Sequence, residues 1–396
     1  MDRKLFLAGL GGSAAAGLAG MPARAADDVV FAGVFSSTGA YAPFGRDTDR
    51  GFRLAVNEFN RTVSGYPITY VTRDDQTKPD VGQQQVTDAY EHSGARFFAG
   101  VASSSVALAI AQVAKDKHAL FFTSVGADEI TGKDCNSFTF RWSVPAYGAV
   151  RAAVYPFIKR FPDAKKFYTI TPSYVFGESL LQNVKDVAQE RGLTLVGNDY
   201  HPLGATEFSD YIGKAAEAQP DVLVLLNFGG DAIHALKTAA SFGLKNKMKI
   251  LYVWSGGLLD YAGIGADDLE GVYVGCQYWH AATPATLRAS QAYQAAYGEP
   301  LGYVGASAYI EAKLTFAGIA RAKSTDPASV AKALEGYAYA GPTGPETIRA
   351  FDHQVVKPYY LLLGKAKSAM KDQWDYVDTV ASGSYPVPQN GSACKL

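Results

Sequence analysis

Apolar runs alternate with amphipathic stretches along nearly the whole chain, and this rhythm restricts the possible folds more than any single motif. The runs Val29–Phe35, Ile68–Arg73, Phe97–Val101, Ala119–Thr123, Phe167–Thr171, Leu193–Tyr200, Val222–Asn227, Ile250–Trp254 and Val272–Gln277 read as strands. Between them, Arg46–Asn60, Pro79–His92, Ser104–Lys115, Tyr147–Arg160, Gly177–Arg191, Phe208–Ala218 and Asp231–Phe242 read as helices from the spacing of their apolar residues. Longer helices are expected at Pro284–Tyr297 and Gly302–Ala322. Strand–helix–strand alternation predicts parallel sheets with right-handed crossovers, hence an α/β fold. The count of elements suggests two similar Rossmann-like halves, the second beginning near Lys166. No low-complexity linker separates them, so ordered crossings acting as a hinge are expected rather than beads on a string.

The first strand empties into Ser36-Ser37-Thr38-Gly39-Ala40-Tyr41-Ala42-Pro43-Phe44-Gly45, and Phe52, Ala55, Val56 and Phe59 then recur at helical spacing. A hydroxyl-rich loop at the C-terminal end of a strand is where open α/β sheets bind small molecules.

Residues 1–25 read as a signal peptide: Arg3 and Lys4, an uncharged stretch from Leu5 to Ala19, and Ala23-Arg24-Ala25 as a small-x-small cleavage site. A buried N-terminal helix is the alternative. Arg3-Lys4-Leu5-Phe6-Leu7 is close to a twin-arginine signal with Lys in the second position, so the export route stays open. Gly9-x-Gly11-x-x-Ala14 matches a dinucleotide fingerprint without the preceding strand that the motif requires. The mature chain is expected to start at Ala26, in the periplasm of a Gram-negative cell. Without Arg3, Lys4, Arg24 and Asp2, the 37 basic and 38 acidic residues become 34 and 37, a net charge near −3. That balance argues against a nucleic-acid partner. No other segment reaches the roughly 18 apolar residues of a membrane span. The three cysteines, Cys135, Cys276 and Cys394, allow one disulfide and a leftover thiol in an oxidising compartment.

An ordered series of landmarks runs through the chain. It comprises the Ser36–Gly45 loop, Arg73-Asp74-Asp75-Gln76-Thr77-Lys78-Pro79, Gly100-Val101-Ala102-Ser103-Ser104-Ser105 and Thr123-Ser124-Val125-Gly126-Ala127-Asp128. Phe140-Arg141-Trp142, Tyr174-Val175-Phe176-Gly177, Asp221-Val222-Leu223-Val224 and Arg349-Ala350-Phe351-Asp352-His353-Gln354 follow. In this order, from about Asp28 to the C-terminus, the sequence resembles the type I periplasmic solute-binding proteins of leucine/isoleucine/valine-type ABC importers. The resemblance implies two lobes joined by three crossings, near Trp142–Ala146, Gly275–Tyr278 and Val355–Pro358. It places the first lobe at 26–143 and 277–356 and the second at 144–276 and 357–396. A monomer that captures solute by hinge closure and docks on a membrane permease, without a cofactor, is the implied function. Pairing of Cys135 with Cys394, leaving Cys276 buried and free, is likewise implied by the resemblance.

Ser103-Ser104-Ser105 opens a helix whose free N–H groups and hydroxyls suit a ligand carboxylate; a plain helix cap is the alternative. In the family the loop carrying Ser124 and Ala127 offers backbone groups and usually a hydroxyl to the solute's polar head. Here Asp128 takes the hydroxyl's place, suiting an ammonium or amide donor, or else capping the turn Glu129–Gly132. Tyr41 and Phe44 from the first loop, and Phe176, Phe228, Trp254, Tyr278 and Trp279 from the second lobe, are candidate ring walls for an apolar or aromatic ligand body. Amino-acid-binding relatives carry an acidic residue after the strand ending near Trp254, where this chain has Ser255-Gly256-Gly257, which makes Ser255 the candidate ligand-contacting residue there. That departure implies loss of the second-lobe counter-charge for an α-ammonium. It leaves open an amine held by Asp128, an aromatic or aliphatic carboxylate, or a neutral urea-type amide. Asp74-Asp75 and Asp80 offer a cation site as one reading, while the resemblance implies a structural turn capping the Pro79 helix; His353 reads as a residue shaping the hinge. The histidines lack metal-ligand spacing.

Nucleophile-elbow G-x-S-x-G, P-loop, H-E-x-x-H and C-x-x-C motifs are absent. An exported hydrolase or a sensory ligand-binding module are the readings from other classes.

Overall fold

The computed structural model describes residues 28–396; the expected signal peptide lies outside them. The chain begins with β1 (Val29–Phe35), α1 (Gly45–Glu58), β2 (Thr62–Val63), β3 (Tyr66–Asp74), α2 (Pro79–His92), β4 (Phe97–Gly100), α3 (Ser104–Lys117), β5 (Leu120–Thr123) and β6 (Thr139–Arg141). These strands form one sheet in the order β2-β3-β1-β4-β5-β6, parallel except for the short β2–β3 pair. The order reverses beside β1, so the loops after β1, β4 and β5 open at one edge of the sheet.

The chain continues through α4 (Ala146–Arg160), β7 (Lys166–Pro172), α5 (Val175–Arg191), β8 (Thr194–His201), α6 (Ser209–Glu217), β9 (Val222–Leu225) and α7 (Gly230–Ser241). Next come β10 (Lys249–Ser255), α8 (Leu258–Ile264), α9 (Ala266–Leu269) and β11 (Tyr273–Cys276). α10 (Pro284–Tyr297) and α11 (Tyr303–Ala322) follow, and α11 packs along α1. α12 (Pro327–Leu334), β12 (Ala338–Gly341), β13 (Gly344–Ile348), β14 (Val355–Val356), β15 (Tyr359–Gly364) and β16 (Val377–Gly383) complete the chain. The second large sheet runs β16-β15-β11-β10-β9-β7-β8, with β15 and β16 antiparallel to their neighbours. A small antiparallel sheet, β12-β13-β14, stands apart.

Local chemistry explains many of the boundaries. α10 starts on a reciprocal capping box between Thr283 and Thr286 with Pro284 in its first turn, where a missing N–H costs nothing. The central strands β4, β5 and β9 are buried along their whole length, which is why they read as unbroken apolar runs. Some strands the sequence reading passes over are short or amphipathically weak, but it also passes over the buried, apolar β15. β6 has three residues, and β12 alternates only between exposed and half-buried positions. The cores are aromatic: Phe31 packs edge-on to Phe52 and Phe316 in the first lobe, and Phe157 edge-on to Tyr273 in the second.

The chain leaves the first sheet after β6, returns after β11 to pack α10 and α11 against α1, and joins the second sheet again at β15. Side chains stitch these passages together. The Gln277 amide both accepts from Val144 N and donates to Val144 O at 2.9 Å, and buried Lys357 donates to Gln277 O at 2.7 Å. Burial lowers the Lys357 ammonium to about 8, and it rests 4.2 Å from the Trp142 ring centroid. His353 stacks flat on Phe140 at 4.0 Å, and its carbonyl accepts from Arg141 N, so it braces the same region. After β16 the tail returns to the first lobe, where Cys394 is bonded to Cys135 across 259 residues; Cys276 is free and buried.

Candidate functional site

The loops at the C-terminal edges of the two large sheets face each other across a cavity of about 590 Å³, counted out to its open side. Its first-lobe wall comes from the loop after β1, the loop between β4 and α3, the loop after β5, and one face of α11. Ser104, Ser124, Gly126 and Glu311 are the groups through which these elements reach it. Ser104 is the first residue of α3, whose leading N–H groups have no intrahelical acceptor and no side-chain cap. Its hydroxyl accepts from Ala127 N at 3.2 Å, so the α3 terminus and the loop after β5 are held together. The loop after β1 is held by the adjacent end of β3. Asp74 accepts from Ser37 N, Thr38 N and the Thr38 hydroxyl, and Asp75 from the Ser36 hydroxyl. The two aspartates therefore shape the binding loop rather than cap the Pro79 helix, which Lys78 precedes without a side-chain cap bond.

The second-lobe wall is made of rings: Tyr174, Phe176, Phe228 and Trp254. Three of them meet edge-on, Phe176 to Trp254 at 5.3 Å and Phe176 to Phe228 at 6.4 Å. Tyr41 and Phe44 cross from the first lobe to join them. Phe44 stacks on Phe228 at 4.8 Å, and the Tyr41 and Tyr174 hydroxyls pair at 2.6 Å. Two glycines permit this closeness. A Cβ on Gly126 would stand 2.4 Å from the Phe176 ring, and Gly229, at φ 63°, would put one 2.8 Å from Phe44.

Of the residues expected from sequence, the structure brings Tyr41, Phe44, Ser104, Ser124, Phe176, Phe228 and Trp254 onto this wall. Others stand elsewhere. Ser103 precedes α3 as its buried cap position, and Ser105 lies beyond the wall. Ala127 contributes its N–H to Ser104 instead of lining the cavity. Asp128 neither faces the solute space nor caps its own turn. Its carboxylate accepts from Tyr147 N at 3.0 Å and from the Asn183 amide at 2.6 Å, which ties the first lobe to α4 and α5. Burial raises its pKa in spite of the nearby Arg141. Ser255 is sealed between the Tyr261 hydroxyl and Gly275 O, because strand alternation turns it away from the cleft while Trp254 faces it. Tyr278 donates to Thr286 O at 2.7 Å at the base of α10, and Trp279 packs on Tyr261.

Two acids of the second lobe lie near the cavity without lining it. Asp260 lies just past the Ser255-Gly256-Gly257 turn, its carboxylate accepting from Gly256 N and the Tyr252 hydroxyl at 2.6 Å. Asp231, near the start of α7, accepts from Gly204 N at 3.0 Å. Burial pushes Asp260 up to about 6 and Asp231 up to about 7. Neither lines the cavity, and Asp260 lies close behind Gly256 and the Phe44 ring. Sequence reading missed Glu311, Tyr303 and Tyr174 on the wall. The signal for Glu311 was available: it is the lone acid in the long, largely apolar Tyr303–Ala322 helix, and it is 1% exposed.

Comparison with known proteins places this architecture. Residues 28–369 match the profile of a family described as periplasmic binding protein. The chain belongs to that family. This periplasmic binding protein is 26% identical over 391 residues to Leu/Ile/Val-binding protein homolog 4 of Brucella melitensis, covering 94% of this chain and 92% of the relative. An amino acid ABC transporter substrate-binding protein from Pseudomonas fluorescens Pf-5 superposes with a TM-score of 0.89 at 47% identity, over 94% of this chain and all of the other. A solute-binding protein of an ABC transporter from Rhodopseudomonas palustris, in complex with benzoate, shares the fold at 21% identity, with a TM-score of 0.82 over 93% of this chain and all of the other. The binding protein is thus of the type I, Leu/Ile/Val-binding class, a family of solute receptors rather than enzymes.

Proposed function

We propose that this protein is the periplasmic receptor of an ABC importer and captures a small carboxylate-bearing solute, an amino acid or a near relative, between its lobes. The observation that carries the reading is the pairing of walls. The uncapped N-terminus of α3 with the Ser104 hydroxyl faces four rings across one cavity. A helix N-terminus favours an anion, and the rings favour an apolar body attached to it. With lobes at 26–143 with 277–356 and at 144–276 with 357–396, the open protein takes the solute on the Ser104 side. Closure then adds the Phe176 and Phe228 side. The closed form is the one a membrane permease meets, and the receptor acts as a monomer without chemical change to its cargo. The Pseudomonas relative, described as an amino acid transporter component, supports the amino-acid form of this reading.

The test is a thermal-shift screen of mature protein, unfolded and refolded to strip carried-over solute. The panel holds apolar and polar amino acids, aromatic acids, short carboxylates, urea and small amides. A solute at about 100 times its dissociation constant adds roughly 2.7 kcal/mol, several degrees of melting temperature. The expected hit bears a carboxylate and is recovered unchanged by NMR. A response confined to urea or amides, or a solute recovered as product, overturns the reading.

A further inference from the structure

The cavity does not end at the ring walls. On its first-lobe side, where α11 meets the loop after β5, Glu311 is among the residues that line it. One oxygen of that group accepts from the Ser124 hydroxyl. Beyond the Gly100 N–H, which approaches the carboxyl and favours its charged form, no donor reaches Oε2. If the group carries a proton on Oε1, that O–H donates to the Ser124 hydroxyl, and Oε2 is still left without a hydrogen-bond partner among the described residues. A buried polar atom with no partner in either protonation state is costly unless something else fills the site. No lysine, arginine or histidine lines the cavity among the described residues. The nearby buried Arg141 guanidinium is committed to Ala127 O, Thr131 and Gln354.

We infer that Glu311, supported by Ser124, is the acceptor for the ammonium group of an apolar amino acid whose carboxylate is held at Ser104. The inference rests on the solute reading above and adds what that reading lacked, a place for the amine. It differs from the expectation for Asp128, which is consumed by α4 and α5, and from Asp231 and Asp260, which stand outside the cavity. Both polar ends of the solute then lie on one lobe, so the open form already discriminates an amino acid from its des-amino analogue.

The protonation that accompanies binding follows from the surroundings. Other titratable groups on the cavity are the phenols of Tyr41, Tyr174 and Tyr303, all pushed up by burial and neutral near pH 7. Burial also holds Glu311 well above the usual carboxylate range. An arriving ammonium favours the carboxylate, so a proton that Glu311 holds in the free protein passes to buffer as the ion pair forms.

The experiment is calorimetry on stripped mature protein at pH 7 with two matched pairs: L-leucine with 4-methylpentanoate, and L-phenylalanine with 3-phenylpropanoate. Running each titration in buffers of different ionisation enthalpy counts the protons released. In at least one pair the amino acid is expected to bind about tenfold or more tighter than its partner and to release a proton, while the des-amino acid releases none. Glu311→Gln, which keeps an acceptor for Ser124, should weaken the amino acid about ten- to hundredfold and abolish the release. Retained preference for the amine in Glu311→Gln, or equal affinity of both partners for the wild type, overturns the inference and leaves the carboxylate reading standing. Failure of all four solutes overturns the amino-acid subsite, and the thermal-shift screen then decides the carboxylate reading separately. Should Glu311→Gln not fold, the wild-type affinities decide: no preference for the amino acid in either pair sinks the assignment.

Discussion

The two walls of the cleft are built on opposite principles. The first-lobe wall is polar and local: a helix terminus, two serines and a buried acid, each fixed by bonds within its own lobe. The second-lobe wall is apolar and collective, with Phe176 in edge contact with both Phe228 and Trp254 and its two carboxylates set behind the surface. A polar wall can grip a solute before closure because its hydrogen bonds need no partner from the other lobe. The ring wall gains most of its energy only when water is driven out, that is, on closing. On the proposed function, recognition and closure fall to different halves of the molecule.

The largest test of this division is Phe228→Ala. Its ring is 6% exposed and stacks on Phe44, and removing it should cost the closed form about 3 kcal/mol, roughly a hundredfold in solute affinity. Calorimetry reads the loss. A lower melting temperature with unchanged affinity would instead place the ring in the second-lobe core.

Ser104→Ala attacks the polar wall and should weaken a carboxylate solute by about 1–3 kcal/mol. The Ala127 N–H, which loses its acceptor in free and bound protein alike, adds a loss of stability that the melting temperature reads separately. If titrations find the affinity unchanged, the α3 terminus is not the carboxylate site.

Asp231 sharpens the contrast through pH. Its pKa rises from 3.8 to about 7 on folding, so between those values the folded chain holds a proton that the unfolded chain has lost. Stability from this group is therefore present at low pH and falls as pH rises from about 4 to about 7. Asp231→Asn should flatten that slope, narrowing the melting-temperature advantage of the wild type as pH rises across this range. A difference independent of pH would mean that the carboxyl is charged and solvated. His201, 4.0 Å away and lowered by burial, loses stability in the opposite direction, as pH falls, which is why the variant difference rather than the raw curve is the readout.

The smallest effect belongs to Tyr41→Phe. It deletes one hydroxyl pair across the cleft, about 1 kcal/mol, and should shift solute-free protein toward the open form. Small-angle scattering would show a larger radius of gyration; an unchanged radius would assign closure to the rings alone.

Much of this was legible in the chain before any coordinates. Runs such as Phe97–Val101 and Val222–Asn227 announced buried parallel strands because both faces are covered by helices. Ser104 was legible as a helix start, and Phe176 and Phe228 as rings just past strand ends. Asp128 misled, since an acid in a binding-loop position looks like a ligand group until α4 and α5 are seen to absorb it. Ser255 misled because one residue of strand register separates the cleft face, held by Trp254, from the interior.

What the sequence by itself determined is the α/β architecture, the family and the hydroxyl-rich loops at strand ends, because periodicity, helix starts and ordered landmarks are local properties of the chain. What only the tertiary structure decided is which side chains meet. Glu311 lies 187 residues from Ser124, and Tyr41 lies 133 from Tyr174. Each pair shares a hydrogen bond because two lobes built from interleaved segments bring distant residues to one cavity, where burial and missing partners set their chemistry.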